Sequence, residues 1–241
     1  MRRSQLVSVA RIVFVVVTVV FAVLAGRELY ASIKTASISI VAERIERGDT
    51  VADEVATKYA SRTVDVIGGH YCRSDIVAAG VTLVLAQLDR QNANVNYDAW
   101  AVAASSARQY LQYALSCMPT NSNFWLRLAA VQSTIAEEPL SIARMMTRSV
   151  ALAPYDESMI LTRFYFWNDF TDATLLAASR ALDSDLTTML RQGDRCRVNA
   201  TIREIGPQLR PIFDRTWTSV GDAATARFRQ RCSKSSLPAR S

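Results

Sequence analysis

The sequence predicts an all-α fold, with one membrane-crossing helix followed by stacked helical hairpins. Three observations predict it. An unbroken apolar run, Ile12 to Ala25, follows Arg2, Arg3 and Arg11. Glycine and proline are scarce, at 8 and 6 of 241 residues, and alternating valine/threonine runs closed by Gly/Asn turns are missing. Downstream, apolar residues recur at helical spacing between polar breaks.

The first element is the span. A bilayer core needs roughly 20 apolar residues of helix. Leu6 to Ala25 is long enough if Arg11 snorkels to the headgroups. Basic residues before the span outweigh those just after it, where Glu28 partly offsets Arg27 and Lys34. The positive-inside rule then puts the N-terminus in the cytoplasm and the rest of the chain in the periplasm, with residues 6–25 in the inner membrane. The alternative is a cleaved signal peptide with Val23-Leu24-Ala25 as its cleavage motif. Both readings export the remaining 215 or so residues, enough for one helical domain or two small ones.

Next come the membrane-proximal helices, 27–68. Ile38, Val41, Ala42 and Ile45 give Ser32 to Arg47 an apolar side. Gly48-Asp49 stops that helix, and Asp49 or Thr50 is placed to cap the next, which runs to about Ile67 before Gly68-Gly69. The region 69–180 reads as hairpins. Ser74 or Asp75 starts an apolar helix to about Asp89, and Asn96 or Asp98 starts its return partner, which ends at Met118-Pro119. Further helices follow near Phe124–Val131, Leu140–Ala153 and Glu157–Phe170, and residues 181–241 form a basic helical segment.

The four cysteines, Cys72, Cys117, Cys196 and Cys232, include no C-x-x-C pair, and His70 is the sole histidine, which argues against zinc. In an oxidising compartment the even count implies disulfides. Cys72 and Cys117 bracket one antiparallel hairpin, so both fall at the same end, within reach of a bridge. Cys196–Cys232 repeats the arrangement less clearly. By loop entropy each bridge is worth roughly 3–4 kcal/mol.

Pro119 and Pro154 each end a helix and lie 35 residues apart. A period near 34 with a closing proline marks helix–turn–helix repeats. Here the chain resembles a degenerate tetratricopeptide repeat. With Pro154 as the closing proline, Leu126 and Met146 take large apolar positions, and Ala130 and Ser149 take small ones. Ser133 stands where an aromatic is usual and Ile142 where alanine is usual. The stretches Cys117 to Ala129 and Ser149 to Glu157 also resemble small membrane-anchored helical-repeat proteins of alphaproteobacteria, some of which accompany surface-polysaccharide genes. The resemblance implies a binding scaffold in the cell envelope.

Chemistry is harder to find. Gly68-Gly69 has no basic residue placed to hold a phosphate, and His70 has no nucleophile beside it once Cys72 is bridged. Glu137-Glu138 and the pair Asp183, Asp185 read as turn residues and helix caps. No nucleic-acid motif and no cofactor signature are present. Phe164, Tyr165, Phe166, Trp167 and Phe170 cannot share one helix face, because successive residues rotate by about 100°. They either pack on the following helix or expose a patch for a partner, the candidate interaction surface.

The net charge of +6 is split: +4 in residues 1–34, −4 in 35–179 and +6 in 180–241. The basic end fits an acidic glycan, anionic lipid headgroups, the chain's own acidic middle, or a solvated helix face. The function expected is a non-enzymatic adaptor that binds an envelope protein partner. The alternative is an envelope glycan hydrolase or lyase whose carboxylates the fold assembles.

Overall fold

The computed structural model describes residues 2–221 and 226–229, and every regular element among them is helical. The chain divides into two compact units, Met1–Leu83 and Val84–Ser241.

The first unit is built on α1, Arg2–Glu46, a single helix of 45 residues and so about 67 Å long. The break expected between the span and a helix starting at Ser32 is absent. The linking residues, Gly26-Arg-Glu-Leu-Tyr-Ala31, contain no proline and one glycine. That glycine costs only about 1 kcal/mol against alanine, and its neighbours are good helix formers. The stretch Arg11–Glu46 is long and apolar enough to cross a membrane. Beyond Ala25 one face of α1 is buried, at Ala31, Thr35, Ile38, Val41 and Ala42.

Three hydrogen bonds and an ion pair of Arg73 with Glu28 (3.6 Å) hold that face. Arg62 Nη1 donates to Ser37 Oγ (3.4 Å), Arg73 Nη1 to Ser32 Oγ (2.7 Å), and Thr82 Oγ1 to Glu46 Oε1 (2.8 Å). Arg73 and Thr82 flank the first half of α4, Ser74–Asp89, so α1 and α4 run in the same direction.

Between them lie α2, Asp53–Ser61, and α3, Thr63–Gly68. One helix to Ile67 was expected. It is interrupted because Ser61 Oγ and Thr63 Oγ1 donate to the carbonyls of Lys58 and Ala60, the competition by which such hydroxyls bend helices. Neither Asp49 nor Thr50 caps α2. Its N-cap is Ala52, with Asp53 and Glu54 in the first turn to meet the helix dipole. α3 closes with His70 at φ 51°, and the amide of Tyr71 reaches back to Val66 O (3.2 Å), a Schellman-type ending.

The second unit holds the end of α4, then α5 (Tyr97–Cys117), α6 (Ser122–Ile135), α7 (Pro139–Leu152), α8 (Glu157–Trp167), α9 (Asp172–Ala177), α10 (Ser179–Gln192), α11 (Arg195–Arg203), α12 (Arg210–Val220) and a 3₁₀ turn at Ala226–Arg229. Local chemistry sets the boundaries, and the Asn96 cap is the one the sequence predicts. Asn96, Asn121, Asp156 and Asp194 accept from the first amides of α5, α6, α8 and α11, and Pro139 opens α7. α6 and α7 form an antiparallel hairpin. Ser122 Oγ at the start of α6 donates to Ser149 O near the end of α7 (2.9 Å), an approach the small residue 149 permits. The expected division at residue 180 falls inside α10, which packs on α7, α8, α9 and α12.

The core of this unit runs from Leu126 and Met146 through Phe164 and Trp167 to Leu186 and Phe213. One ion pair is sealed within it. Arg163 on α8 grips Asp185 on α10 with two bonds of 2.7 Å, and neither side chain meets solvent. Arg163 also donates to Ser149 O (3.4 Å) and Ala153 O (3.0 Å), and Trp167 Nε1 donates to Asp185 Oδ2 (3.1 Å). Asp185 was expected at a turn beside Asp183. Instead both lie within α10, and Asp185 points into the core because its cation, 22 residues earlier in sequence, is there. Burial pushes the Asp185 carboxyl above the ordinary carboxylate range, against the opposing pull of Arg163 and Trp167.

Removing one member strands the other charge in an apolar interior. Arg163→Met should therefore lower unfolding stability by about 3–5 kcal/mol. The double change Arg163→Met with Asp185→Leu should recover most of it, as read from denaturant midpoints by circular dichroism.

Candidate functional site

The expected interaction surface is dispersed by the fold. Phe164, Trp167 and Phe170 are buried in the core, with Trp167 and Phe170 stacked edge-to-face at 5.9 Å. Tyr165 is 70% exposed, and Phe166 is half-buried. The five do not form a joint patch; the reason is the 100° step of the helix, which turns 164 and 167 inward.

Phe166 instead contributes to a groove of about 350 Å³. Its walls are the end of α4 (Leu85, Leu88, Asp89), one side of α6 (Arg127, Ala130, Val131, Ser133, Thr134), and Phe166 of α8 with Asp169 two residues beyond that helix. Of these, α6 pairs with α7 in a hairpin and also packs on α8. The floor is apolar and the rim is charged. Burial pushes the Asp89 carboxyl above its ordinary range, and the nearby Arg127 and Arg90 oppose it. Arg127 Nε donates to Asn123 Oδ1 (3.1 Å), which steadies its guanidinium along α6.

Glu137 closes one end of the groove. Its Oε1 accepts from the Thr171 amide (2.8 Å), Thr171 Oγ1 (2.7 Å) and Thr174 Oγ1 (2.6 Å). A residue of the α6–α7 turn thereby caps α9 from 34 positions earlier in sequence. Burial works against ionisation of Glu137, but the hydrogen bonds from Thr174 and Thr171 outweigh it and hold the carboxyl below its ordinary value.

A larger, shallower concavity of about 900 Å³ lies over the other side of α7, lined by Trp125, Leu140, Arg144, Arg148, Ala151 and Ala177, among others. Leu140 stands 71% exposed there, beside two arginines one helical turn apart.

Cys72, Cys117 and Cys196 are all disulfide-bonded, so none is available as a nucleophile or ligand. The fourth expected partner, Cys232, lies outside the described residues, as do residues 222–225 and 230–241 of the basic C-terminal segment. Among the described residues no group of three or more His, Cys, Asp or Glu side chains is placed to hold a metal ion.

The sequence reading missed Leu85, Asp89, Arg127 and Asp169 as neighbours. Leu85 and Leu88 are visible as an apolar stripe, but the charged rim depends on three helices coming together. Known proteins do not supply an identity for the site: no family model, no curated protein and no solved structure matches the chain.

Glu137 carries a testable pH dependence. Its folded pKa lies below its unfolded one, so its contribution is complete above about pH 4.5 and is lost as the pH falls through the lower, folded value. Glu137→Gln should cost about 1–2 kcal/mol at neutral pH, the worth of a charged helix cap. Denaturation curves of variant and parent should converge as the pH falls through the folded pKa of Glu137.

Proposed function

We propose that this chain is a non-enzymatic adaptor, anchored in the bacterial inner membrane by α1, whose helical domain lies in the periplasm and holds a segment of an envelope protein partner in the α4–α6–α8 groove. The observation that carries the reading is the groove's composition. An apolar floor of Leu85, Leu88, Val131 and Phe166 sits under a rim of Asp89, Asp169 and Arg127. Such a surface suits an amphipathic segment that inserts one apolar side chain and presents basic groups to the two aspartates. Stacked hairpins use the faces of alternate helices in this way. The degenerate tetratricopeptide likeness supports the same reading, and surface-polysaccharide synthesis or export is the context it favours. The basic C-terminal segment offers a second contact, to an acidic glycan or to anionic lipid headgroups.

One observation favours a second reading. Asp89 has a raised carboxyl pKa and shares a groove with Asp169, the kind of pairing a glycan hydrolase or lyase uses.

The two readings separate experimentally. A photo-crosslinking residue at position 166 of the full-length chain in its membrane should label a partner segment with basic residues beside an apolar one. Leu88→Glu should abolish the labelling. Asp89→Asn should weaken it several-fold without touching glycan turnover; loss of glycan turnover in Asp89→Asn with labelling unchanged would select the enzyme. A reporter that works only in an oxidising compartment, fused after Ser241, should be active.

A further inference from the structure

The geometry points to a second surface, and we propose that its occupant is a second copy of this chain, paired in parallel along α1. The proposal starts from the two faces of that helix outside the membrane. Ala31, Thr35, Ile38 and Ala42 are buried in their own unit. At about 100° per residue, Leu29, Ile33, Ala36 and Ile40 lie on the opposite side. That side faces solvent: Leu29, Ile33 and Ile40 are 62%, 68% and 58% exposed. A helix that packs on its own unit with one face has no intramolecular use for a second apolar stripe.

The spacing of the stripe is informative. Ala22, Gly26, Leu29, Ile33, Ala36 and Ile40 follow each other by four, three, four, three and four residues. This is the 3.5-residue period of a left-handed two-helix seam. The seam crosses the end of the span without a change of phase, because α1 is unbroken there. Arg27, Glu28 and Lys34 fall off it, and the next seam position, Glu43, is charged and paired with Arg47 at 2.7 Å. The seam therefore ends where charge begins.

Gly26 supplies an independent observation. A Cβ added there would meet nothing within 4 Å in the same chain, so the fold of the monomer does not require glycine. Glycine inside a helix is nevertheless costly. Ala22 and Gly26, one turn apart, make the small-xxx-small pattern that lets two helices approach closely in lipid.

Self-pairing is favoured over a different partner for two reasons. Copies anchored by the same span share one orientation, so their helices meet in parallel and each seam residue meets its own counterpart. Small residues then face small ones inside the membrane, and large apolar ones face each other outside it, with no like-charge conflict along the line. The area also suffices. Leu29, Ile33 and Ile40 on the seam, and Tyr30 flanking it, each offer on the order of 100 Å². The aqueous half of a pair thus covers about 800 Å², and the intramembrane half takes it past the roughly 1,000 Å² that a specific interface needs.

The test is disulfide trapping of the full-length chain in its own membrane. Ile33→Cys and Ile40→Cys should each give a species of doubled mass under a mild oxidant, whereas Lys34→Cys, off the seam, should not. Adding Gly26→Leu to Ile40→Cys should abolish the doubled species while helix content stays the same. The proposal is overturned if Lys34→Cys traps as readily as Ile33→Cys, if no variant traps, if Gly26→Leu leaves trapping unchanged, or if the trapped species contains a different protein.

Discussion

The helical core of the second unit depends on a charge that has no access to water. Arg163 and Asp185 can be buried together because each satisfies the other with paired 2.7 Å bonds, while Ser149 O, Ala153 O and Trp167 Nε1 take up the remaining polar capacity. Burying either alone would cost several kcal/mol. The consequence is directional. Apolar contacts between α8 and α10 would tolerate sliding by a fraction of a turn, whereas a bidentate pair accepts one register. α8 also carries Phe166 into the groove, so the position of one groove wall follows from a bond made deeper in the same helix.

A second constraint comes from α1. Because no breaker separates the membrane-length segment from the residues buried in the first unit, that unit has no flexible tether of the usual kind. The ties from Arg73 and Thr82 to Ser32 and Glu46 fix α4 along the same rod. Rotation of the span about its axis therefore turns the buried face and the exposed stripe together. This rigidity bears on the proposed seam: a phase set in the membrane-length segment persists several turns beyond it.

Much of the local structure was legible. Asn96 reads as a helix start, and the helices expected from Phe124, Leu140 and Glu157 begin within two residues of those positions, because such starts are decided within a few residues of chain. The all-α class and the apolar leading helix follow from composition and run length. What was not legible depends on distant partners. Asp185 looked like a turn residue beside Asp183 and Ser184, since nothing local announces an arginine 22 positions away. Glu137 read as a solvated turn, yet its bonds go to Thr171 and Thr174. The aromatic cluster could be divided in principle by its helical phase, but which half faced inward depended on α10. The groove was least visible, because Asp89, Arg127 and Asp169 come from three helices whose side-by-side placement is a tertiary fact.

The same distinction bears on function. Carboxylates are the chain's main chemical resource, and several are already committed: Asp185 to Arg163, Glu137 to the start of α9, and Asp156 to the first turn of α8, where the Met159 amide and Ser158 hydroxyl hold its carboxyl below the ordinary range. Each stabilises the fold through hydrogen bonds that a reacting group would have to give up. Asp89 and Asp169 are placed differently, at the rim of an apolar groove with an arginine between the two walls. On the proposed adaptor reading, a rim of that kind would select the charge of an incoming segment, and the floor beneath it would reward one apolar insertion. On that reading, binding asks of these residues only what their positions already provide.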